Sequence, residues 1–241
     1  MRHFLILLLI TSTLSLSAQW GGWSRKTVKG NGDLTTETRD LTGFDGVSTC
    51  CNIDVELTQG SFGVRVEAES NLQEHLKTEV RGGRLIVGFK DNVNVKTRKQ
   101  ITVYVSLPEL EYVGASSSGE VITTGSFTGE ELEVDVSSGA RVKLDFSGES
   151  LRANASSGGR MSLRGAAGRF KANASSGGSV DAAKYAVKNA RCNASSGGGV
   201  TVKVSGTLDA NASSGGRVRY TGEPTDVDSE ASSGGSVRKG N

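Results

Sequence analysis

Proline is nearly absent from this chain, at 2 residues in 241, although glycine is abundant at 33. That pairing excludes collagen, whose strict Gly-X-Y period needs proline throughout. Phe, Trp and Tyr make up 5% of the residues, too few for a globular core built around large rings. No apolar run approaches the roughly 20 residues of a membrane-crossing helix, so no transmembrane segment is expected. Charge of one sign is not in excess either. A formal net charge of +2 gives no global attraction to nucleic acid. Histidine numbers only 2, and the 3 cysteines (Cys50, Cys51 and Cys192) are odd in number, which excludes a fully paired disulfide framework.

The first residues read as an export signal. Arg2 and His3 precede an apolar run from Phe4 to Ile10, and small polar residues lead to Ala18-Gln19. Residues 1–18 are assigned to a signal peptide and 19–39 to an N-terminal segment. The mature protein is then periplasmic, cell-surface or secreted. No cysteine follows the cleavage point, so no lipid anchor is expected there. Around Cys51, the residues Val47, Cys51, Ile53, Val55 and Leu57 fall on one face of a period-2 pattern. This places Cys51 inward and Cys50 outward on a strand. Neighbouring side chains on a strand point to opposite faces, so free thiols are expected, the alternative being a Cys50–Cys51 bridge.

What the chain has in quantity is one phrase. "NASSGG" occurs at 154–159, 173–178, 193–198 and 211–216, with "DVSSGA" at 135–140 and "EASSGG" at 230–235. Taking the first serine of each Ser-Ser-Gly as zero gives Ser117, Ser137, Ser156, Ser175, Ser195, Ser213 and Ser232, spaced 20, 19, 19, 20, 18 and 19 residues apart. Periods near 20 mark a solenoid, whose single repeat cannot bury its own apolar face. Five positions before zero stand Tyr112, Leu132, Leu151, Phe170, Ala190, Leu208 and Val227. Three before stand Gly114, Val134, Ala153, Ala172, Cys192, Ala210 and Ser229. Five after stand Val142, Met161, Val180, Val200, Val218 and Val237, the first copy slipping by one. Polar residues alternate with these at period 2, so the repeat is made of strands. The fold class is therefore all-β: a parallel β-helix of about 19 residues per coil over 111–241, with strands near 53–57, 62–68, 84–89 and 101–107 in its N-terminal part, 40–110. One short helix is expected there, since Ser70-Asn71 followed by Glu74 has a capping pattern and Leu72 and Leu76 face inward. The repeated phrase is the corner: glycine supplies positive φ, and the serine column is placed to exchange hydroxyl hydrogen bonds from coil to coil.

The order "VKGNG" (28–32), "TRDLTGFDGV" (38–47), "IDVELTQG" (53–60), "SNLQEHLKTEVRGGRLIV" (70–87) and "ITVYVSLPELEYVGASSSGEV" (101–121) resembles the bacterial family described as putative auto-transporter adhesin, head GIN domain. The resemblance spans residues 28–239 and implies a right-handed parallel β-helix-like fold and export, with no established activity. No membrane barrel is expected after the repeats, which departs from the auto-transporter name.

The chemistry of catalysis is not in the sequence. A serine nucleophile needs a base within hydrogen-bond reach, and beyond the signal region only His75 remains. Phosphate loops need a strand feeding a helix N-terminus; here strands feed strands. No metal-ligating cluster or cofactor motif stands out. Each "NAS" is also a glycosylation sequon, although a regular strand column explains those asparagines equally well. A glycan-cleaving site would need paired carboxylates in a cleft, and coils of such uniform length are expected to raise no walls.

Charge is distributed less blandly than its sum. Residues 151–220 hold eleven Lys and Arg against Asp181 and Asp209. Four before zero, the outward column runs Glu133, Arg152, Lys171, Arg191, Asp209, Asp228; two before, it runs Asp135, Asn154, Asn173, Asn193, Asn211, Glu230. The plainer reading is a charge ladder pairing Glu133 with Arg152 and Arg191 with Asp209. The functional one is an anion-binding face formed by Arg152, Lys171 and Arg191 beside Asn154, Asn173 and Asn193, because stacked like charges call for a counter-charge. The expectation is a non-enzymatic, exported, adhesin-like or ligand-binding β-solenoid of the bacterial cell envelope. Its expected partner is an acidic polysaccharide or an envelope component. The alternatives are a scaffold self-associating through its coil ends, or a glycan-active enzyme.

Overall fold

The computed structural model describes residues 26–240; the signal-peptide assignment lies outside them. The described chain opens with β1 (Lys26–Lys29), β2 (Leu34–Arg39), β3 (Gly46–Thr49), β4 (Ile53–Gln59) and β5 (Gly63–Glu69). A 3-10 helix (Ser70–His75) follows, then β6 (Leu76–Arg81), β7 (Arg84–Phe89), β8 (Val93–Lys96) and β9 (Ile101–Leu107). The coils continue through β10 (Tyr112–Ala115), β11 (Glu120–Thr123), β12 (Phe127–Val136), β13 (Arg141–Ala155), β14 (Arg160–Ala174) and β15 (Ser179–Ala194). They finish with β16 (Gly199–Val204), β17 (Thr207–Ala212), β18 (Arg217–Thr221), β19 (Asp226–Ala231) and β20 (Ser236–Lys239).

Each coil lies parallel on the next with equivalent residues in register. Ala153 pairs with Ala172, Ala172 with Cys192, and Cys192 with Ala210. The corner has a definite conformation. Ser157, Ser176, Ser196 and Ser214 have φ of 48°, and the glycines that follow them have φ of 72–75°. An N–H of the second glycine closes each turn on the first serine, as from Gly159 to the Ser156 carbonyl at 2.8 Å. Two consecutive left-handed residues with an i→i+3 bond are the pattern of a type I′ turn. The backbone also links corners, Gly177 N–H donating to the Ser196 carbonyl at 3.2 Å and Ser175 N–H to that of Ala155 at 3.0 Å. The expected hydroxyl ladder is not found: among the described residues no corner serine side chain bonds to a neighbouring coil. Main-chain groups already saturate that contact.

A two-residue corner draws its flanking strands together, so only small residues fit between them. Ala155, Ala174, Ala194 and Ala212 stand next to it, fully enclosed. Further along the coil, the wider interior takes Leu132, Leu151, Phe170 and Leu208 on one side and Leu144, Leu163 and Val202 on the other. Leaving these in water would forfeit about 25 cal/mol per Å² of apolar surface, and no single coil can hide them alone.

The first repeat copy sits differently from its sequence alignment. Val113 pairs with Val134 and Ala115 with Val136. Ser116 is therefore the corner serine, Val113 occupies the inward column, and Tyr112 and Gly114 face outward. The stack also extends one coil further back. β3 lies beside β10 with Thr49 against Ala115, and β4 lies beside β11 with Asp54 against Glu120. Cys50-Cys51-Asn52 thus occupies the corner that serine and glycine fill elsewhere, with positive φ at Cys51 (65°) and Asn52 (59°).

This corrects the cysteine reading. Cys50 and Cys51 form a disulfide, and Cys51 is exposed rather than inward. Strand alternation does not apply to residues that have left the extended conformation. Cys192 is free and buried. Next to this coil, β7 and β9 pair with β3 and β4, and antiparallel β6, β5 and β2 lie beside them. The helix is 3-10, with Leu72 buried and Leu76, which follows it, buried as well. It is capped by no side chain, and Ser70 is its first residue rather than its cap. Glu69 is engaged elsewhere: its carboxylate accepts N–H bonds from Gly32 (2.6 Å), Arg98 (2.8 Å) and Lys99 (3.4 Å). Burial alone would raise that carboxyl, but the three backbone donors hold it below its ordinary 4.5.

Candidate functional groove

The buried face of β13 changes phase between Phe146 and Leu151, and that of β14 between Leu163 and Phe170, so each coil bends there; an open groove of about 1390 Å³ runs across the coils just past this bend. Uniform coil length predicts no cleft, and the groove departs from that expectation. Gln59 and the Pro108–Glu111 segment stand at its N-terminal end. Gln59 fastens that end, its amide donating to the carbonyls of Pro108 and Thr128 at 3.0 Å each and accepting the Thr128 N–H at 3.0 Å.

The expected cations meet in this groove. Arg152, Lys171 and Arg191 occupy one register position on three successive coils and all line it. They are exposed. Arg191 is paired, its guanidinium 2.6 Å from Asp209. The expected Glu133–Arg152 pair does not form among the described residues, and neither Arg152 nor Lys171 makes an ion pair there. Sequence reasoning missed Arg169, which lines the same groove and lies 3.8 Å from Glu131 and 3.9 Å from Glu149. It also missed the opposite end, where Glu109, Glu111, Glu130, Glu131 and Glu133 gather. The signal was available in part, since 120–150 is acidic, but the two glutamates from 109–111 join only through folding. The groove is dipolar, acidic over its first coils and basic over the next three.

The asparagines do a different job. Asn154 Nδ2 donates to Asp135 Oδ1 (2.9 Å), Asn173 to Asn154 (2.8 Å) and Asn193 to Asn173 (3.0 Å). This half-buried ladder runs beside the groove rather than along its lining. Tyr112 heads it, donating its hydroxyl to Asp135 Oδ2 at 3.1 Å. Burial, then the charge and hydrogen bond of Asp135, push the Tyr112 phenol up. Below it, Gly46 leaves room for Arg84 to lay its guanidinium 3.5 Å from the Tyr112 ring centre. At the far end Asn211 turns aside to Asp209 at 3.0 Å. The amides thus tie successive coils together beside the basic column, and each keeps a second N–H for other partners.

Comparison with known proteins agrees with this architecture. A family model described as "Putative auto-transporter adhesin, head GIN domain" matches residues 43–224. A crystal structure of a putative adhesin from Bacteroides fragilis superimposes with a TM-score of 0.79 at 16% identity, over 88% of this chain and 99% of that one. A putative adhesin from Parabacteroides distasonis gives 0.74 at 21% identity, over 89% and 100%. A second protein from that organism, described as a putative lipid binding protein, gives 0.71 at 22%, over 90% and 100%. At such identities the likeness establishes the fold. No curated protein has a matching sequence.

Proposed function

Because the chain belongs to the family of the auto-transporter adhesin head GIN domain, we propose that it is an exported, non-enzymatic, adhesin-like protein of the bacterial cell envelope that binds an acidic polysaccharide along its groove. One observation carries the ligand class: Arg152, Lys171 and Arg191 stand in register on neighbouring coils, with Arg169 beside them, in an open trough. Coils repeat about every 4.8 Å, so the donors form a line suited to an extended polymer bearing carboxylates. The glutamate end of the groove repels such a polymer, which confines it to the three basic coils and gives it a fixed terminus.

The test is calorimetric titration with polygalacturonate. Binding is expected at low salt and should weaken as salt rises, because exposed charges are screened over about 8 Å at physiological ionic strength. The variant carrying Arg152→Gln, Lys171→Gln and Arg191→Gln should lose binding while melting like the parent, since all three face solvent. Undiminished binding by that variant would reject the groove. Export is tested separately, by mass spectrometry of the protein from a periplasmic or surface fraction, which should begin at Gln19.

A further inference from the structure

Ten of the eleven basic residues between 151 and 220, all but Lys188, divide between two faces. Arg152, Arg169, Lys171 and Arg191 line the groove. Another set projects from the strands that follow the Ser-Ser-Gly corners: Arg160, Arg164, Lys184, Lys203, Arg217 and Arg219. Arg141 and Lys143 extend it on one side and Arg238 on the other, and all nine are exposed. Asp145 and Asp181 interrupt it, and Glu120 borders it opposite Arg141. Of the nine, only Lys143 forms an ion pair among the described residues, at 2.8 Å with Glu120. Three pairs of like charge stand directly opposite in register: Arg141 with Arg160, Arg164 with Lys184, and Arg219 with Arg238. Like charges opposite one another in a sheet repel, so this face holds uncompensated charge that an external anion would relieve.

We propose that this second basic face docks onto a negatively charged lipid surface. The shape of the array decides against a single polymer chain. Coils repeat about every 4.8 Å and outward positions stand about 7 Å apart along each strand; the cations occupy three such outward columns, with gaps at Ser162, Ser179, Gly199 and Thr201, so they spread over two dimensions. A linear polymer meets one row of such an array, whereas a sheet of acidic headgroups meets all of it. None of these side chains lines the groove or the smaller recess around Ser195 and Ser213. Among the described residues the exposed large apolar ones, Leu34, Phe62 and Val227, are not part of this face, so it has nothing to insert among acyl chains. Attachment is electrostatic and reversible by salt, and it leaves the groove, built from other residues, free for its own ligand.

Sedimentation of the full chain with phosphatidylcholine vesicles, with and without phosphatidylglycerol, tests this. Sedimentation is expected only with the acidic lipid, and salt should reverse it. Each basic residue at such a surface strengthens partition about fivefold, so replacing Arg160, Arg217 and Arg219 by Gln should weaken it roughly 100-fold. The same three positions changed to Lys should restore it, and the groove variant Arg152→Gln, Lys171→Gln, Arg191→Gln should sediment like the parent. No preference for acidic vesicles at low salt overturns the proposal, as does full sedimentation of the Gln variant or failure of the Lys variant. Equal loss in the groove variant overturns it too, because the two faces would then not be separate. Capture of soluble dextran sulfate through this face, with vesicles ignored, would make the partner a polymer and likewise overturn it.

Discussion

The two glycines of each corner should fail for different reasons when given a side chain, and the fourth Ser-Ser-Gly copy makes the difference measurable. Gly177 has φ +72°, and a Cβ built there meets nothing within 4 Å. Its alanine variant therefore suffers only the left-handed conformation, about 1–2 kcal/mol. Gly178 has no such φ, but its Cβ would overlap the Ala155 carbonyl and lie 2.8 Å from the Ser156 nitrogen, both in the preceding coil. The coil cannot move away without breaking the Ser175 N–H bond to Ala155 (3.0 Å) and the Ser179 N–H bond to Gly159 (2.9 Å). A clash of this kind costs about 1–3 kcal/mol and each bond about 1, giving about 3–5 kcal/mol in all. In a chain of this size 1 kcal/mol moves Tm by about 2–4 °C. Thermal melts followed by circular dichroism should then place Gly177→Ala about 2–8 °C below the parent and Gly178→Ala about 6–20 °C below. Ser175→Ala should stay close to the parent, because its hydroxyl joins no coils. A Gly178→Ala protein that melts with the parent, or above Gly177→Ala, refutes the idea that coil spacing is set at this residue.

Three other outcomes are expected. Thiol titration without reductant should find no reactive cysteine in the native protein and one after denaturation, because burial, then the charge of Asp209, raises Cys192 to about 12 and Cys50 and Cys51 are bridged; native reaction at neutral pH would contradict both placements. Glu69 has a depressed folded pKa, so its contribution is present above the ordinary value of 4.5 and is lost as pH falls through the folded one. Denaturant melts of Glu69→Gln should be less stable at neutral pH and flatter with acid than the parent, and parallel curves would remove Glu69 from the account. Tyr185 is fully enclosed with its hydroxyl unbonded, its ring 5.8 Å from Phe170. Tyr185→Phe should be neutral or more stable by up to about 1 kcal/mol in the same melts, and clear destabilisation would show a bond to that hydroxyl.

Much of this protein follows from spacing alone. The period near 19 residues, the inward columns, the strands and the corner role of Ser-Ser-Gly are properties of short segments, because positive φ and side-chain alternation are decided within a few residues of chain. The shared register position of Arg152, Lys171 and Arg191 is legible for the same reason: one period places them at one outward position. Where a local rule was carried past its segment it failed. The alternation of Val47 and Ile53 makes strand residues of Cys50 and Cys51, yet they lie between the Thr49–Ala115 and Asp54–Glu120 pairings, where the neighbouring coil turns its corner. Alternation places Asn154, Asn173 and Asn193 outward beside the cations, but it does not show that each amide reaches the coil before it. The groove and the division of its cations from the second basic face depended on where each coil bends and on what the 108–111 segment lies against. Those are contacts between residues tens of positions apart, and they are settled by packing between coils, which no local pattern of side chains encodes.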